Sequence, residues 1–514
     1  MSNAVSRGTQ STGHAVFRGG WPVVLAVIGL LLCWPCGASA SALAGHPATT
    51  PVFNVRTFGA KGDGSNNDAP AVNKAIAAAN SAGGGIVEFP SGTYEAGGSI
   101  HMMSNVTIQL DSGSTLAGAS SGYDAPESNP NDKFQDFGHS HFHDAMIWGD
   151  RLTNIGFTGS GTIDGEGHFV TGNPKSGQAD KLISLTRCNG LILDGITLKR
   201  GGHFAILTND CGNIMSDHLT ISTASDRDGW NVINAQHVKI TNIADSSNDD
   251  ALVFKSDWAL GQTLNSGDVT VTNAHLSAGC CNALMFGSET CGNFTNYTFT
   301  NITITHAGKS GLGMVSMDGA NISNVTYDNV TMSGTASPIM EKIGSRLRCG
   351  GSPKVGSISD IHYNGVTGTN AGSFSPTLWG ASGHDISDVT FDGVNLTLPG
   401  GHGTMSTGVP SDNGDYNPNS IGTRPAYGFY LHDVTGISFT NSSVKFGEDD
   451  GRPAFIVNSA GPVTFDHVTA QRGGKSPFDV GFQTVKGFCV TSSTNTTGGA
   501  LRVNSAGSTR SCSG

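Results

Sequence analysis

Charged residues are scarce in this sequence, and most of those present are acidic. Only 13% of the 514 residues are Asp, Glu, Lys or Arg, and 28 basic against 40 acidic residues give a formal net charge of −12. Such a chain lacks the electrostatic attraction for phosphates on which nucleic-acid binding depends. The sequence therefore predicts no nucleic-acid partner, and a strongly acidic polymer would need a local basic pocket to be bound.

Long hydrophobic runs are also missing, with one exception near the N-terminus. Arg7 and Arg18 precede WPVVLAVIGLLLCW (21–34), and the small residues GASASALA (37–44) follow it. This order is typical of a secretory signal peptide, and the run is shorter than the ~20 apolar residues of a membrane span. We therefore predict that residues 1–44 are removed on export and that the mature chain is secreted and free of the membrane.

Outside the predicted signal peptide, which contains Cys33 and Cys36, the sequence has no C-x-x-C spacing of the kind that would indicate a metal site. Without Cys33 and Cys36 of the predicted signal peptide, eight of the ten cysteines remain. An even number in an exported chain favours disulfides over metal ligation. The candidate pairs are Cys489 with Cys512 and Cys281 with Cys291, and no metal or cofactor is predicted.

Good helix formers are few, whereas glycine is abundant and short strand-like segments recur. NYTFTNI, NVTYDNV, DIHYNGV and DVTFDGV start at 296, 324, 360 and 388, and looser copies occur at 189–198, 212–221, 236–245 and 435–444. Second strand candidates lie at 204–208, 230–234, 251–256, 283–288, 311–316 and 453–457. The four starts are 28, 36 and 28 residues apart. A repeat of about this length, made of short strands, is typical of a solenoid whose coils bury apolar residues by stacking on one another.

The repeat predicts an all-β fold, a single-stranded right-handed parallel β-helix over residues 45–514. A propeller would need four strands per repeat, and a sandwich would lack the period. Residues 50–95 are predicted to cap the open end, with an Ala-rich helix that starts after Asp68, has Pro70 in its first turn and stops at a Gly-Gly-Gly run. Catalytic coils are expected at about 180–345 and C-terminal coils at about 355–514. The protein is expected to be a monomer.

Two segments carry a resemblance to known proteins. The cap sequence FGAKGDGSNND, AVNKAIAAA and GGGIVEFPSGTY closely resembles the opening of the pectate-lyase-like β-helix superfamily. SGTIDGEG (160–167) is similar to a segment of glycoside hydrolase family 28, the polygalacturonases and rhamnogalacturonases. The likeness extends over about 52–345, and the family carries four signatures along one face of its helix.

The first two signatures map onto three aspartates. NTDG falls on DRDG (226–229), giving Asp228, and GDD falls on NDD (248–250), giving Asp249 and Asp250. The 21 residues from 228 to 249 correspond to about one coil, and stacked coils lie about 4.8 Å apart. We therefore expect three carboxyl groups to share one patch.

Three adjacent carboxyl groups suit glycoside hydrolysis. The resemblance makes Asp249 the general acid and Asp228 with Asp250 the pair that activates water in an inverting reaction. Like-charge repulsion from two neighbours would raise the pKa of Asp249 and keep it protonated. The predicted function is a polysaccharide-degrading glycoside hydrolase that needs no cofactor.

The other two signatures depart from the family. GHG would lie in CCNALMFGSE, where Asn282 replaces the His, and RIK would lie in KSGLGMVS, where Gly313 and Val315 replace the Arg and Lys that bind the substrate uronate. A literal GHG at 401–403 lies beyond the catalytic coils and is interpreted as chance. We therefore expect the sugar beside the scissile bond to be neutral or held differently. Residues that could rebuild a clamp are Lys255, Lys309, Glu341, Lys342, Arg346 and Arg348.

The predicted substrate-binding residues are Asn282, Lys255, Glu289, Lys309, Asp226 and Trp258. Trp230, Trp258 and Trp379 could each stack on a sugar or be buried. His139, His141 and His143 alternate in GHSHFHD, and on a strand they would point to one side. A loop bordering the cleft is favoured there over a metal site.

Two other functional classes stay open from the sequence. A lyase or epimerase of the same superfamily would require calcium ligands and a basic residue, and it would act on uronates. A non-catalytic carbohydrate-binding solenoid, such as an adhesin or a tailspike, would tolerate the loss of Asp249.

Overall fold

The computed structural model describes residues 50–223, 226–372 and 374–512 of the chain. The predicted signal peptide, residues 1–44, lies outside these ranges. Within them, no helix is both long enough and apolar enough to cross a bilayer.

The described chain is built almost entirely of short strands. The first nineteen are Val52–Asn54 (β1), Asp63–Asn67 (β2), Gly85–Phe89 (β3), Gly92–Ala96 (β4), Ile100–His101 (β5), Val106–Leu110 (β6), Ser114–Gly118 (β7), Ala145–Asp150 (β8), Thr153–Gly159 (β9), Thr162–Asp164 (β10), Lys181–Thr186 (β11), Asn189–Asp194 (β12), Thr197–Lys199 (β13), Phe204–Asn209 (β14), Gly212–Asp217 (β15), Thr220–Thr223 (β16), Asp228–Ile233 (β17), Gln236–Ser247 (β18) and Leu252–Ser256 (β19). The others are Ser266–Ala278 (β20), Leu284–Thr290 (β21), Phe294–Ser316 (β22), Asn321–Ser333 (β23), Thr335–Ile343 (β24), Ser357–Thr369 (β25), Thr377–Trp379 (β26), Ile386–Asp392 (β27), Asn395–Gly400 (β28), Phe429–Thr435 (β29), Ile437–Thr440 (β30), Ser443–Glu448 (β31), Phe455–Ala460 (β32), Val463–Asp466 (β33), Thr469–Ala470 (β34), Val480–Thr491 (β35), Thr494–Asn495 (β36), Val503–Asn504 (β37) and Thr509–Arg510 (β38).

The strands pair in parallel from coil to coil and form three faces. One face contains β5, β8, β11, β14, β17, β19, β21, the end of β22, β24, β26, β29 and β32 in that order. Its register matches Trp230 with Leu252 and Leu252 with Leu284. Each strand thus returns to the same face one coil later, so the predicted right-handed parallel β-helix is confirmed.

Helices are few. The longest is Ala69–Ser81 (α1), followed by Phe137–Ser140 (α2) and the 3-10 turns Val55–Phe58, Asp132–Phe134 and Pro418–Ser420. In α1, the buried residues are packed against the first coils, and they include Val72, Ala75, Ile76 and Ala79. The helix α1 thus covers the open end of the β-helix interior, as predicted. Asp68 precedes α1 but its carboxylate accepts hydrogen bonds from the Lys61 and Gly62 N–H groups instead of capping the helix.

Aromatic rings stack along the interior. Phe299, Tyr327, Tyr363 and Phe391 follow one another with ring centroids 5.0 Å apart and planes within 15° of parallel. This distance is close to the spacing of parallel strands, so the register of the coils brings each ring onto the next. The aromatic position of the sequence repeat is therefore an inward-facing core position.

Asparagines occupy a recurring corner. Asn273, Asn301 and Asn329 all have φ between 54° and 58°, a left-handed conformation that asparagine adopts more readily than most residues. Their side-chain amides bond from coil to coil at 2.8–3.1 Å. These side-chain ladders account for the abundance of asparagine in the repeat.

Three disulfides are present in the part of the chain that the structure describes. Cys489–Cys512 confirms one predicted pair, and Cys188–Cys211 and Cys291–Cys349 were not anticipated. The predicted Cys281–Cys291 pair is wrong, because the extended strand β21 separates the two residues. Seven residues of strand span more than 20 Å at about 3.3 Å each, far beyond disulfide reach.

Candidate active site

The three predicted acids lie together on the outer surface of the face described above. Asp228 begins β17, and Asp249 and Asp250 directly precede β19. The Asp249 N–H donates to the Arg227 carbonyl at 3.0 Å, and the Gly229 N–H donates to the Asp250 carbonyl at 2.9 Å. The spacing of the two signatures therefore brings the three carboxyl groups onto adjacent coils, as expected.

Asn282 holds Asp250 from the following coil. Its backbone N–H and its side-chain amide both donate to Asp250 Oδ1, at 3.0 and 2.8 Å, and its Oδ1 accepts from the Ser310 N–H at 3.1 Å. The Asn282 side chain is almost completely buried. It links three successive coils, and its contacts are with the protein wall of the site.

Lys255 is buried at the centre of the patch. Its Nζ lies 3.7 Å from Asp228 Oδ2, 3.4 Å from Glu289 Oε2 and 3.0 Å from His139 Nε2. Asp228 also accepts a hydrogen bond from the Asn231 amide at 2.9 Å. A buried ammonium between two carboxyl groups offsets part of the cost of burying them.

Glu289 is surrounded by cations. Arg348 Nη2 lies 2.7 Å from its carboxylate and Arg346 Nη2 lies 3.8 Å away. Burial alone would raise the pKa of Glu289, but Lys255, His139 and the two arginines hold it well below its usual value. Glu289 is therefore an anion that organises the basic groups behind the site.

The three aspartates differ in pKa. Burial raises the pKa of Asp228 to about 8, with Lys255 opposing the shift and the other two aspartates adding to it. Burial and the Asp249 charge also raise the pKa of Asp250. Burial would raise the pKa of Asp249 too, but a hydrogen bond from the Cys281 thiol and the charges of Arg227 and the lysines bring it below its usual value.

The expectation that repulsion raises the pKa of Asp249 is therefore wrong for the free site. The reasons are the hydrogen bond from the Cys281 thiol and the charge of Arg227, whose Nη2 and Nε lie 3.2 and 3.3 Å from Asp249 Oδ2. Its Nη1 also donates to the Thr171 carbonyl at 3.4 Å. Sequence reasoning missed this residue, although DRDG carries an arginine that the family form NTDG lacks.

Loops turn the patch into a pocket of about 290 Å³. Its floor contains the three aspartates, Lys255 and Glu289, and His203 and Arg227 lie beside them. The walls come from 136–139, from Gly172 and Asn173, and from Tyr416. Sequence reasoning gave no signal for Tyr416, which belongs to a long loop between β28 and β29.

One of the altered family positions, Val315, lies beneath Tyr416. Val315 belongs to an outward-facing apolar cluster with Val253, Met285 and Met317, and Tyr416 packs on it. Gly313 is paired with Met285 of that cluster in the register. Val315 therefore forms part of the surface on which the loop residue Tyr416 rests, and Gly313 lies next to that surface.

Two of the six clamp candidates reach the pocket, namely Lys255 and Lys309. Lys309 Nζ lies 3.4 Å from the Tyr416 hydroxyl and 5.3 Å from its ring centre. Lys342 instead anchors the loop, bonding Asp412 and the Asp415 carbonyl at 2.6 Å. The remaining candidates have other contacts: Glu341 faces the interior and bonds the Tyr363 hydroxyl, Arg346 bonds Asp318, and Arg348 bonds Asp136 and Glu289.

Several sequence candidates lie away from the pocket lining. Trp258 packs against Phe134 and Gly350, and Asp226 contributes its carbonyl to the Asn248 amide. Trp230 is fully buried in the core, and Trp379 is buried against His432.

On a strand, the three alternating histidines would point to one side, but the structure places the first of them in a helix. His139 lies in the short helix α2 and lines the pocket. A helix turns successive side chains in different directions, so the three histidines do not share one side. His141 stacks on Phe137, and His143 stacks on Trp148. The prediction that this segment borders the cleft holds for His139.

A larger cavity of about 630 Å³ lies at the C-terminal end, lined by residues of the last coils. Its lining is mostly apolar or hydroxylic, with Phe488, Val490 and Leu501 among it, and Arg510 is its one titratable group among the described lining residues. It lacks paired acids, so the smaller pocket is the candidate for chemistry.

Comparisons with known proteins show which family this chain resembles. The family model Glycosyl hydrolases family 28 matches residues 91–414. An exopolygalacturonase of Platanus acerifolia is 24% identical over 388 residues, covering 71% of this chain and 94% of that protein. A probable endo-xylogalacturonan hydrolase A of Aspergillus fumigatus is 25% identical over 396 residues, covering 72% and 89%.

A family 28 exopolygalacturonase of Yersinia enterocolitica has a similar solved structure. Its TM-score is 0.60 at 18% identity, and the match covers 82% of this chain and 79% of that one. The family model spans well over half of this chain and includes the whole aspartate patch. The chain therefore belongs to glycoside hydrolase family 28, with a parallel β-helix fold and polygalacturonase-like relatives.

Proposed function

We propose that this glycoside hydrolase is a secreted, inverting enzyme that removes short products from the end of a pectin-like polysaccharide. Asp249 acts as general acid, and Asp228 with Asp250 activates water. The observation that carries the proposal is the set of three aspartates on adjacent coils at the floor of one pocket. Asp249 is the most exposed of the three, and its carboxylate is the one that the pocket leaves accessible.

The proton inventory of the free site suggests a cycle. In the free site the proton resides on Asp228, because burial raises its pKa to about 8, while Asp249 is ionised against Arg227. A substrate group that takes over Arg227 would remove this counter-charge and raise the pKa of Asp249. The proton then moves to Asp249, which leaves Asp228 and Asp250 as the two anions that water activation requires.

The protons of the bond-breaking step are then all accounted for. Asp249 gives its proton to the glycosidic oxygen while water attacks the anomeric carbon from the opposite side of the ring. The proton released by that water goes to Asp228. Asp249 is left as a carboxylate and Asp228 as an acid, which is the protonation state of the free site.

Arg227 and Lys309 are the groups that we propose to hold the sugar. Both side chains line the pocket. A guanidinium can bind the carboxylate of a uronate, which Gly313 and Val315 cannot do. The sugar is therefore held by Arg227 of the DRDG segment and by Lys309 of β22, and not by the two positions that the family uses. A uronate fits this pair, which is consistent with the polygalacturonase relatives.

Chain-end attack is proposed from the shape of the site. A groove that binds the middle of a polymer must be open at both ends, whereas here Tyr416 and the segments at 136–139 and 172–173 surround the aspartates. The loop that carries Tyr416 is anchored by Lys342 and by Arg424, which bonds the Pro418 and Ile421 carbonyls at 2.8 Å. Fixed walls of this kind leave room for one chain end.

The test compares the mature protein with its Asp249→Asn variant on polygalacturonan, rhamnogalacturonan, methyl-esterified pectin and neutral glycans. We expect reducing ends from a uronate polymer that depend on Asp249, short products from the first minutes, and little early loss of viscosity. NMR of the first product should show an inverted anomeric centre. Unsaturated products absorbing in the ultraviolet would indicate a lyase, and equal activity of the variant would overturn the proposal.

Secretion is proposed from the sequence of residues 1–44, and the three disulfides support it, since they persist in oxidising compartments. Expression of the full chain with N-terminal sequencing of the exported product tests this. Cleavage after Ala40, Ala42 or Ala44 is expected. Retention of the intact N-terminus on the cell would contradict it.

A further inference from the structure

Two free thiols lie beside the proposed general acid. Six of the eight cysteines within the described ranges form disulfides, whereas Cys280 and Cys281 stay reduced. The donor atoms of Cys280, Cys281 and Asp249 all lie within 4.8 Å of one another. Cys280 is exposed and Cys281 is buried, so the cluster opens to solvent on one side only.

We propose that Cys280, Cys281 and Asp249 form a binding site for one thiophilic divalent cation, such as Zn²⁺ or Cd²⁺. Because Asp249 is the general acid in the proposed function, on which this consequence rests, a bound ion and catalytic turnover exclude each other. The site is thus an inhibitory one, built into the catalytic patch.

The donor set selects the type of ion. Two sulfurs and one carboxylate oxygen suit a tetrahedral zinc-like ion with a water as fourth ligand, and they suit Mg²⁺ or Ca²⁺ poorly, since those ions prefer oxygen ligands. Donors within 4.8 Å of one another need only small side-chain rotations to reach the distances of metal ligands. The exposed Cys280 gives the ion a path from solvent.

Charge balance supports the same assignment. Each thiol loses its proton to solvent when its sulfur binds the ion, so two thiolates and one carboxylate supply three negative charges. The divalent ion supplies two positive charges, and the Lys309 ammonium beside Cys281 supplies a third. The Lys309 N–H also donates to the Cys281 carbonyl at 2.9 Å, which fixes the lysine beside the site. Arg227, 3.2 Å from Asp249, adds a further positive charge, so the negative charge of the three ligands is fully offset.

The test measures binding and activity separately on the mature, thiol-reduced protein. Equilibrium dialysis with Zn²⁺ and with Cd²⁺ should give one tightly bound ion per chain, and Mg²⁺ should give none at this site. Cys280→Ser and Cys281→Ser should each weaken binding by more than about 100-fold, because even outer-sphere changes cost 10–100-fold. His218→Ala is the matched control, because Asp194, Asp217 and His218 form a second, fully exposed ligand cluster.

Inhibition should follow occupancy in the wild type and disappear in the serine variants, while Cys280→Ser, at the exposed thiol, keeps the thermal midpoint and the ion-free activity of the wild type. A Zn²⁺ affinity that the serine substitutions leave unaltered, or that His218→Ala abolishes, would overturn the site. Dialysis does not depend on turnover, so it tests the metal site even if no glycan proves to be a substrate. Binding without inhibition would overturn the exclusion while keeping the ligand set.

Discussion

The inner and outer faces of the same strands follow different rules. In β19, Leu252 and Phe254 point inward to the apolar core, whereas Lys255 points outward to the aspartates. The inner face repeats from coil to coil, as the stack from Phe299 to Phe391 shows. The outer face changes from coil to coil and carries inserted loops. The repeated positions thus determine the fold, and the departures from the repeat determine the chemistry.

Glu341 is an informative exception. It is an inward-facing carboxyl on β24, fully buried, and it accepts a hydrogen bond from the Tyr363 hydroxyl at 2.7 Å. Burial raises its pKa to about 7. A shifted pKa alone therefore does not mark a catalytic acid in this molecule, because Asp249 lines the pocket whereas Glu341 faces the core.

The largest expected effect on stability comes from the interior stack. Phe391→Ala should lower the free energy of unfolding by about 3–5 kcal/mol, because it opens a cavity between Tyr363 and Phe439. Denaturant unfolding measures this, and kcat should be unchanged at a temperature where the variant is folded. Ile192→Ala, at an exposed position, is the control and should change stability by less than about 0.5 kcal/mol. Equal effects of the two substitutions would contradict the distinction between the faces.

Asn282→Ala is expected to have the next largest effect, this time on catalysis. It removes one hydrogen bond to Asp250 and leaves the Ser310 N–H without its partner, a cost of about 1–3 kcal/mol that should lower kcat by about 10–100-fold. Steady-state kinetics on the substrate found in the glycan screen measures it. Asn301→Ala, in the corner ladder, should keep full kcat. An unaltered kcat in Asn282→Ala would mean that Asp250 needs no such support.

Arg227→Gln should change the pH dependence of catalysis. The Arg227 charge acts on Asp228, which holds the proton of the free site, as well as on Asp249. Its removal should therefore raise the pKa at which that proton is lost and move the alkaline limb of kcat/KM to higher pH. KM for a uronate polymer should rise by about tenfold, whereas a neutral or esterified glycan should be little affected. Arg151→Gln, at an exposed surface pair, is the control. A fixed pH profile would remove Arg227 from the proton cycle.

The smallest expected effect is on the pH dependence of stability. The folded-state pKa values of Asp228 and Glu341, about 8 and about 7, exceed the ordinary values, so the folded state binds more protons between about pH 4 and pH 8. The contribution of each group is therefore greatest below pH 4 and is lost as pH rises through its folded pKa. Asp228→Asn and Glu341→Gln should each reduce this decline by about 1.4 kcal/mol per pH unit between pH 5 and pH 7. Melting curves of the wild type and the two variants at pH 5 and pH 8 measure this. If the variants lose as much stability between these pH values as the wild type does, the pKa shifts are contradicted.

Sequence reasoning reached what the repeat and the signatures encode. The capping helix follows from the local sequence after Asp68, and the juxtaposition of Asp228 with the pair at 249–250 follows from the family signatures and their 21-residue spacing. The Arg227 contact with Asp249 changes the pKa order of the acids, and it depends on side-chain distances that spacing does not fix. Tyr416 comes from a loop about 100 residues after Lys309, and no period connects the two.

Disulfides show the same limit. Cys489–Cys512 closes one coil and could be predicted, whereas Cys291–Cys349 joins residues 58 positions apart across an irregular loop. Contacts that loops bring together on the outer face thus cannot be predicted from the repeat. These contacts are the ones that shape the pocket.

The central claim is that the outward carboxyl at 249, and not any inward one, cleaves the glycosidic bond. The most direct test is the rate of reducing-end release by the wild type, Asp249→Asn and Glu341→Gln on the same uronate polymer, with melting curves to verify folding. We predict that Asp249→Asn lowers kcat by about 10³-fold and that Glu341→Gln stays within about twofold of the wild type. A folded Asp249→Asn variant with near wild-type release of reducing ends would contradict the account.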